Sequence, residues 1–310
     1  MILLYGLYKM LLVEDAIKQV LVIAYRENTS QLEAQFIEQG FDCHVLRQHH
    51  QSEHKDYSPS YLCLLNHCSA WKQVVESNQP QLICEADFVP VRSLNSLPMP
   101  YDTNLRNVGI AWLYTCAPQI YSVSSRNHAI GFSTSMVAYI LTPAGAQVLL
   151  ELAGKIAESP GPTQYSTWDS KIEESLRVRK LDGYLPWRNY GEHGGKPNSE
   201  HKKAGLSSVH RADLLYGKLA FTPIYAEPMR YSSLSFFSAR TKARIKGIGR
   251  LLLGKYLRPL VLTGSSTPLR MLKFAVGRHF YVKPLGFAQT PFAEQAARGA
   301  DIERGQATHA

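Results

Sequence analysis

The chain has 310 residues, of which 45% are apolar, enough for the packed core of one large or two small domains and too many for a disordered chain. Its five cysteines are odd in number and form no CxxC pair, which argues against a disulfide framework and favours a reducing, cytosolic setting. The formal net charge is +9, and the excess positive charge lies in the C-terminal third.

The N-terminal segment, residues 1–18, begins with an apolar run that is too short for a membrane span. Lys9 interrupts this run, and Glu14 and Asp15 follow it, whereas a spanning helix needs ~20 apolar residues. The run also lacks the basic start and the small-residue cleavage site of a signal peptide. We expect a packed or surface segment, or an extension upstream of an alternative start at Met10.

The first regular elements predict a βαβ unit. Gln19–Ala24 is apolar at every position after the first, which is typical of a buried strand. A helix is predicted from a cap at Thr29 or Ser30 to Gly40, and a second strand over residues 41–46. This alternation favours a parallel, doubly wound sheet.

The alternation of strands and helices continues to about residue 185. Ser58-Pro59 opens a predicted helix with Pro59 in its first turn, and apolar residues then recur at helical spacing to about residue 77. Further strands are predicted at 81–84, 110–114, 137–141 and 181–185, and further helices at 142–157, with Thr142 as the cap, and at 167–178. The sequence therefore predicts an α/β domain over residues 19–227, with a mainly parallel sheet covered by helices on both faces.

Two carboxylates follow the apolar strand at 81–84. Glu85 and Asp87 are two residues apart, so along an extended chain their side chains point the same way and Ala86 points the opposite way. Ligands of open α/β sheets bind beyond the carboxyl ends of the strands. Two oxygen ligands at this position suit Mg²⁺ or Mn²⁺ bridging a diphosphate, and a solvated strand end is the alternative interpretation.

Three short motifs together resemble a known family. They are Asn66-His67 with Ala70-Trp71 ahead of Glu85-Ala86-Asp87, the segment 138–146 (Ala-Tyr-Ile-Leu-Thr-Pro-Ala-Gly-Ala), and Asp169 after a loop. Over about residues 19–190 the chain resembles the family 25 glycosyltransferases of lipopolysaccharide biosynthesis. It departs from the family's E-D-D motif at the middle position, where Ala86 replaces an acid.

The resemblance implies a GT-A-like, Rossmann-related fold and a metal-dependent hexosyltransferase. Such an enzyme moves a sugar from a nucleotide-sugar donor to a glycan or glycolipid acceptor in cell-surface polysaccharide or lipopolysaccharide biosynthesis. On this basis Glu85 and Asp87 are the expected ligands of Mn²⁺ or Mg²⁺. Asp169 is the expected catalytic base, with Glu173 and Glu174 as alternatives, and a helix N-terminal charge is the other interpretation of Asp169.

Four polar side chains are predicted to bind substrate. His67 is placed near the nucleotide, with packing inside the helix layer as its alternative role. The glycine-rich segment 189–198 carries His193, Lys196 and Asn198, which we expect to face donor or acceptor groups such as phosphate. A plain connecting loop is the alternative interpretation of this segment.

A basic region over residues 228–290 and a disordered tail over 291–310 are predicted after the α/β domain. From 228 to 293 the sequence has twelve Lys and Arg residues and no Asp or Glu. Residues 237–258 predict an interfacial helix that suits an anionic membrane surface, and docking of the helix on the catalytic domain is the alternative. The apolar stripe of this helix consists of Ile245, Ile248, Leu252 and Tyr256.

Three functions are compatible with these patterns. The first is a transferase at the cytoplasmic face of a membrane. The second is an inactive transferase-like scaffold that binds a polyanion or a membrane, and the third is a metal-dependent hydrolase using the same carboxylates. The basic residues alternate with Leu, Ile and Phe and match no nucleic-acid-binding module, which argues against a nucleic-acid partner.

Overall fold

The computed structural model describes residues 11–196, 205, 209–226 and 232–280. Most of the basic C-terminal region is included. The expectations for residues 1–10, for Asn198 and for the tail over 291–310 fall outside the described residues.

Ten strands are formed in this part of the chain. They are β1 (Gln19–Ala24), β2 (Asp42–Arg47), β3 (Gln81–Glu85), β4 (Phe88–Pro90), β5 (Val108–Trp112), β6 (Gln119–Val123), β7 (Ala129–Phe132), β8 (Ala138–Leu141), β9 (Asp182–Leu185) and β10 (Gly191–His193). Eight of them build one central sheet in the order β2-β1-β3-β8-β5-β9-β7-β6, and β4 pairs with β10 in a separate antiparallel ladder.

The central sheet is mainly parallel in strand direction. β1 runs parallel to β2 and β3, and β5 runs parallel to β9. β8 is antiparallel to both of its neighbours, β3 and β5, and β7 is antiparallel to both β9 and β6. Six strands therefore point one way, and β7 and β8 point the other way. The α/β class with a mainly parallel sheet is confirmed.

Eight α-helices accompany the strands within the described residues. They are α1 (Val13–Ala16), α2 (Ser30–Glu38), α3 (Pro59–Ser77), α4 (Pro143–Glu158), α5 (Ile172–Val178), α6 (Ser232–Leu252), α7 (Pro259–Gly264) and α8 (Pro268–Phe280). The predicted cap at Thr142 is present, because its hydroxyl accepts from the Gly145 amide at 3.1 Å, and the Ser58 hydroxyl likewise accepts from the Tyr61 amide at 3.2 Å. Both helices also start on a proline, whose missing N–H costs nothing in the first turn. Thr29 occupies the N-cap position of α2 but makes no side-chain capping bond.

Helices cover both faces of the sheet, as the buried strand β1 predicts. Leu21 and Ile23 face one apolar cluster, formed with α3, α4 and α5, while Val20 and Val22 face a second cluster that includes α2. All four side chains are buried. Each fully buried aliphatic side chain contributes ~1.5–3 kcal/mol, so β1 ties both helix layers to the sheet.

The basic region docks on the α/β domain through two ion pairs. Arg240 of α6 pairs with the buried Glu192, and Arg278 of α8 holds Asp213 with both of its terminal nitrogens. Burial alone would raise the pKa of Asp213, but the Arg278 guanidinium outweighs burial and the pKa is lowered. Gly247 allows the close approach of α6, since a Cβ at this position would lie 2.7 Å from the Asp213 Cβ.

This docking divides the predicted apolar stripe of the C-terminal helix. Tyr256 lies after the end of α6 and is buried against the domain, whereas Ile245 and Leu252 stay 64% and 79% exposed. The prediction that these residues form one apolar stripe on a single helix is therefore wrong, because the backbone turns at Gly254 and Tyr256 then faces the domain. Among the described residues no helix is both long enough and apolar enough to cross a membrane.

Candidate active site

The carboxylates predicted to bind a metal lie where β3 ends. Glu85 is the last residue of β3, and the backbone turns through Ala86 and Asp87 before β4 begins. The extended geometry expected for the pair is therefore wrong. The two carboxylates converge nevertheless, because one oxygen of each and one ring nitrogen of His193 lie within 4.8 Å of one another. Ala86 packs against the second apolar cluster.

His193 reaches this site through the small ladder of β4 and β10. Pairing of His193 with Phe88 sets the histidine beside Asp87, and its Nε2 lies 3.0 Å from Asp87 Oδ2. Burial works against a charged imidazole, but the Asp87 carboxylate outweighs it and the pKa of His193 is raised. Part of the segment expected as an irregular loop, residues 191–193, is therefore a strand.

Three buried polar atoms around this pair have no hydrogen-bond partner. They are Asp87 Oδ1, His193 Nδ1 and the hydroxyl of Tyr114, whose ring stands edge-on to His193 with 6.1 Å between centroids. An unsatisfied buried polar group costs ~1–3 kcal/mol, so native sites usually satisfy such groups with water or an ion. These residues fit a bound cation. Two carboxylates and an imidazole suit Mn²⁺ better than Mg²⁺, which prefers oxygen ligands alone.

A buried hydrogen-bonded chain connects Glu85 to the core. Trp71 Nε1 donates to the Tyr139 hydroxyl at 2.8 Å, and that hydroxyl lies 2.9 Å from His67 Nδ1. Since an ionised carboxylate can only accept, His67 Nε2–H faces Glu85 Oε1 at 3.4 Å, and Nδ1 of the neutral ring then accepts the Tyr139 proton. His67 is fully buried, so it orients Glu85 and does not reach a substrate from this position. Cys63, His67 and Glu85 form a second group with metal-ligand spacing.

Glycines bring the chain after β10 against the carboxylate. The Gly194 amide donates to the Asp87 carbonyl at 2.8 Å, and a Cβ on Gly195 would lie 2.1 Å from Asp87 Oδ2. Arg211 holds this segment from the other side, donating to the His193 carbonyl at 3.0 Å and to the Gly195 carbonyl at 2.8 Å. The glycine-rich composition that stood out in the sequence therefore has a steric reason.

Replacing Gly195 with alanine tests this arrangement. We expect Gly195→Ala to push the Asp87 carboxylate away from His193 and to weaken Mn²⁺ binding about tenfold or more, as measured by calorimetric titration. Gly154→Ala in α4 is the matched control, because a Cβ there meets no atom within 4 Å. The control should leave Mn²⁺ affinity unchanged and stabilise the helix by ~0.5–1 kcal/mol. Equal Mn²⁺ affinity in Gly195→Ala and wild type would contradict the steric account.

Asp169, the predicted base, lies near Glu85. It belongs to a 3₁₀ turn, Trp168–Lys171, which the Trp168 indole anchors by donating to the Ser60 carbonyl at 3.1 Å. Burial raises the pKa of Asp169 to about 6, and the charge of Glu85 adds to the increase. A carboxylate with this pKa is suited to accept a proton near neutral pH.

Three other predicted residues are at least partly exposed. Glu173 pairs with Arg177 at 3.6 Å on α5, and Glu174 is exposed. Lys196 follows the glycine pair and is also exposed. Sequence reasoning assigned His193 to substrate, whereas the geometry groups it with the metal-type ligands Glu85 and Asp87.

Comparisons with known proteins find similarity among solved structures. Neither a family model nor a curated protein sequence matches this chain. Among solved structures, the chain is similar to the crystal structure of a glycosyltransferase involved in the glycosylation of the major capsid of PBCV-1, at 10% identity and a TM-score of 0.39. The similarity covers 56% of this chain and 83% of that one. A TM-score at this level does not establish a shared fold.

Proposed function

We propose that this chain is a metal-dependent glycosyltransferase with a GT-A-like fold. It moves a hexose from a nucleotide-sugar donor to a glycan or glycolipid acceptor in the biosynthesis of cell-surface polysaccharide or lipopolysaccharide. One observation carries the proposal. The side chains of Glu85, Asp87 and His193 converge around buried, unpartnered ligand atoms, with the raised-pKa carboxyl of Asp169 nearby.

The position of this cluster in the sheet supports a nucleotide site. The chain runs from β1 outward to β2 and then crosses to β3 on the other side of β1. The crevice at such a change of direction, beyond the carboxyl ends of the strands, is where open α/β sheets bind ligands. Glu85 ends β3 at this crevice, paired with Ile23 near the end of β1.

Each residue has a defined part in the proposed transfer. Asp87 and His193 would hold the metal, and Glu85, oriented by His67, would complete the ligand set. A divalent cation held there would supply positive charge against the nucleoside diphosphate as it leaves. The hydroxyl oxygen of the acceptor bonds to the anomeric carbon of the donor while the bond from that carbon to the diphosphate breaks. Asp169 accepts the proton that this hydroxyl loses.

A thermal-shift screen of nucleotide sugars tests this function. One or more donors should raise the unfolding midpoint with Mn²⁺ and fail to do so with chelator. At 100 times the dissociation constant the stabilisation is ~2.7 kcal/mol, or about 5 °C or more for a domain of this size. Radiolabelled donor then separates transfer to an acceptor from hydrolysis alone. If no nucleotide sugar shifts the midpoint with Mn²⁺ or Mg²⁺, the inactive scaffold becomes the better account.

We further propose that the protein works at the cytoplasmic face of a membrane. Five free cysteines suit a reducing compartment. The docked C-terminal helices leave large apolar side chains exposed in a segment without acids. These are Leu234, Phe237, Ile245, Leu252, Leu253, Leu260, Leu269, Leu272 and Phe280. Each lysine or arginine near an anionic membrane contributes ~1 kcal/mol to the free energy of membrane binding. Apolar side chains that enter the interface contribute further through burial.

Vesicle flotation tests this membrane association. We expect binding to vesicles with anionic lipid at low salt and none to neutral vesicles, since the segment carries only positive charge. The double variant Leu260→Gln/Leu269→Gln should lose about tenfold in binding, because these side chains are 88% and 72% exposed. Ile37→Gln/Val178→Gln is the matched control, with side chains 62% and 75% exposed on other helices. Equal losses in the two double variants would refute the C-terminal surface as the membrane-binding site.

A further inference from the structure

A cleft of about 780 Å³ lies between α6 and the α/β domain. We call it the α6 cleft. Its domain wall is formed by residues 115–118, which follow β5, and by Val209–Asp213. Its opposite wall is one face of α6, from Leu234 to Arg250, and Tyr256 closes one end. A volume of this size suits a ligand larger than a single small ion.

The α6 cleft carries unneutralised positive charge. Four cationic side chains line it: Arg211, Lys242, Lys246 and Arg250. The single lining carboxylate, Asp213, is already held by both terminal nitrogens of Arg278. Within the described part of the chain, Lys242 and Lys246 form no ion pair, and the buried Nε of Arg250 has no hydrogen-bond partner. Cationic groups arranged in this way, without a protein counter-charge, are complementary to an anionic ligand.

The α6 cleft adjoins the candidate active site through Arg211. This side chain lines the cleft and also donates to the carbonyls of His193 and Gly195 beside the metal-type ligands. Arg211 therefore connects the cleft to the segment that carries His193.

Cys116 belongs to the wall of the cleft and is not a nucleophile. Its Sγ lies 2.8 Å from His210 Nδ1, an arrangement that suggests thiol activation. However, burial raises the pKa of Cys116 to about 11, so the thiol stays protonated at neutral pH. The binding groups of the cleft are its cations.

We propose that the α6 cleft binds a phosphate group carried by the acceptor. The inference rests on the proposed function, in which the donor diphosphate occupies the separate site at Glu85, Asp87 and His193. A second set of cations, connected to that site through Arg211, then holds a second anion and orients the acceptor relative to the donor. Val209, Leu234 and Ala243 give the cleft apolar wall area for the rest of such a molecule.

The test compares two variants that each lose two lysines of the basic C-terminal region. One variant loses lysines that line the cleft, and the other loses lysines that do not. The cleft variant is Lys242→Gln/Lys246→Gln. The control is Lys255→Gln/Lys273→Gln, which has the same net charge and changes two exposed lysines that do not line the cleft. Inorganic pyrophosphate is titrated into each full-length protein by calorimetry in EDTA, so that metal-dependent binding is excluded. We expect about tenfold weaker binding in the cleft variant and less than about twofold in the control.

Two further probes each carry a phosphate monoester, one on a sugar and one on a lipid. Glucose 1-phosphate represents a phosphorylated sugar, and dihexanoyl phosphatidic acid below its micelle concentration represents a lipid headgroup. Whichever binds more tightly in wild type, with loss in the cleft variant alone, supports the inference and identifies the source. Equal affinities in the cleft variant and the control, or no binding of any probe, would overturn it. Mn²⁺-dependent nucleotide binding, measured in parallel, reports on the proposed function independently, since the cleft variant retains Glu85, Asp87 and His193.

Discussion

Asp87→Asn should abolish Mn²⁺-dependent donor binding while the fold remains intact. The substitution keeps the size of the side chain and removes the charge that pairs with His193 at 3.0 Å. Because Asp87 Oδ1 is buried without a partner, this oxygen is the ligand atom that a cation would gain most by contacting. We expect Mn²⁺ affinity to fall about a hundredfold or more, measured by calorimetry, with nucleotide binding lost in parallel.

Asp42→Asn is the control for this experiment. Asp42 also pairs with a histidine, His44, at 2.9 Å, but the pair is exposed on the edge strand β2. The control should leave metal and donor binding unchanged. If Asp87→Asn binds Mn²⁺ and donor as wild type does, Asp87 is not a metal ligand. The inactive transferase-like scaffold then becomes the better interpretation.

Asp169→Asn should lower kcat by about 10²–10⁴-fold and raise thermal stability at pH 7. The loss of activity follows from removal of the base. The gain in stability follows from burial, because a carboxyl whose pKa is raised to about 6 is charged at pH 7 at a cost to the fold. Asparagine removes that charge, and we expect a gain on the order of 1 kcal/mol. A residue that only stabilised the helix start would give the opposite change in stability.

The sign of the pH dependence follows from the same group. The base acts when deprotonated, so wild-type activity should rise as pH increases through about 6 and level off above it. Asp169 binds its proton more tightly in the folded state than in the unfolded state, where its pKa has the ordinary value of 3.8. Its contribution to stability therefore falls as the pH rises from 3.8 to about 6, the pKa in the folded state. Glu173→Gln is the control. A large loss of kcat in Glu173→Gln, with none in Asp169→Asn, would transfer the role of base to Glu173.

Elements with a strong local pattern were predictable from the sequence. The apolar run of β1, and the caps at Ser58 and Thr142, encode their structure within a few residues. The hairpin of β6 and β7 was not predicted, because its strands mix buried and half-buried positions and lack a continuous apolar run. The antiparallel direction of β8 depends on pairing with β3 and β5, which no local pattern records.

The candidate site was predictable only in part, for the same reason. Glu85 and Asp87 end a local apolar strand, so their position follows from sequence alone. The pairing of Asp87 with His193 joins residues 106 positions apart and depends on β10, a three-residue strand with no hydrophobic signal of its own. The chain from Tyr139 to His67 spans 72 positions. Glycine enrichment at residues 191–195 was the one available sign of a close approach.

The two ion pairs that dock the basic region limit where the chain can be truncated without loss of the fold. A chain ended at residue 227 would leave Glu192 and Asp213 in place and remove Arg240 and Arg278. Burial already raises the pKa of Glu192 with its arginine present. A charge that stays buried without its partner costs ~3–5 kcal/mol, and the apolar surface that Tyr256, Met271 and Phe274 now cover would meet water. The C-terminal helices are therefore part of the folding unit that positions His193, and expression of the α/β part alone should give aggregated or unfolded protein.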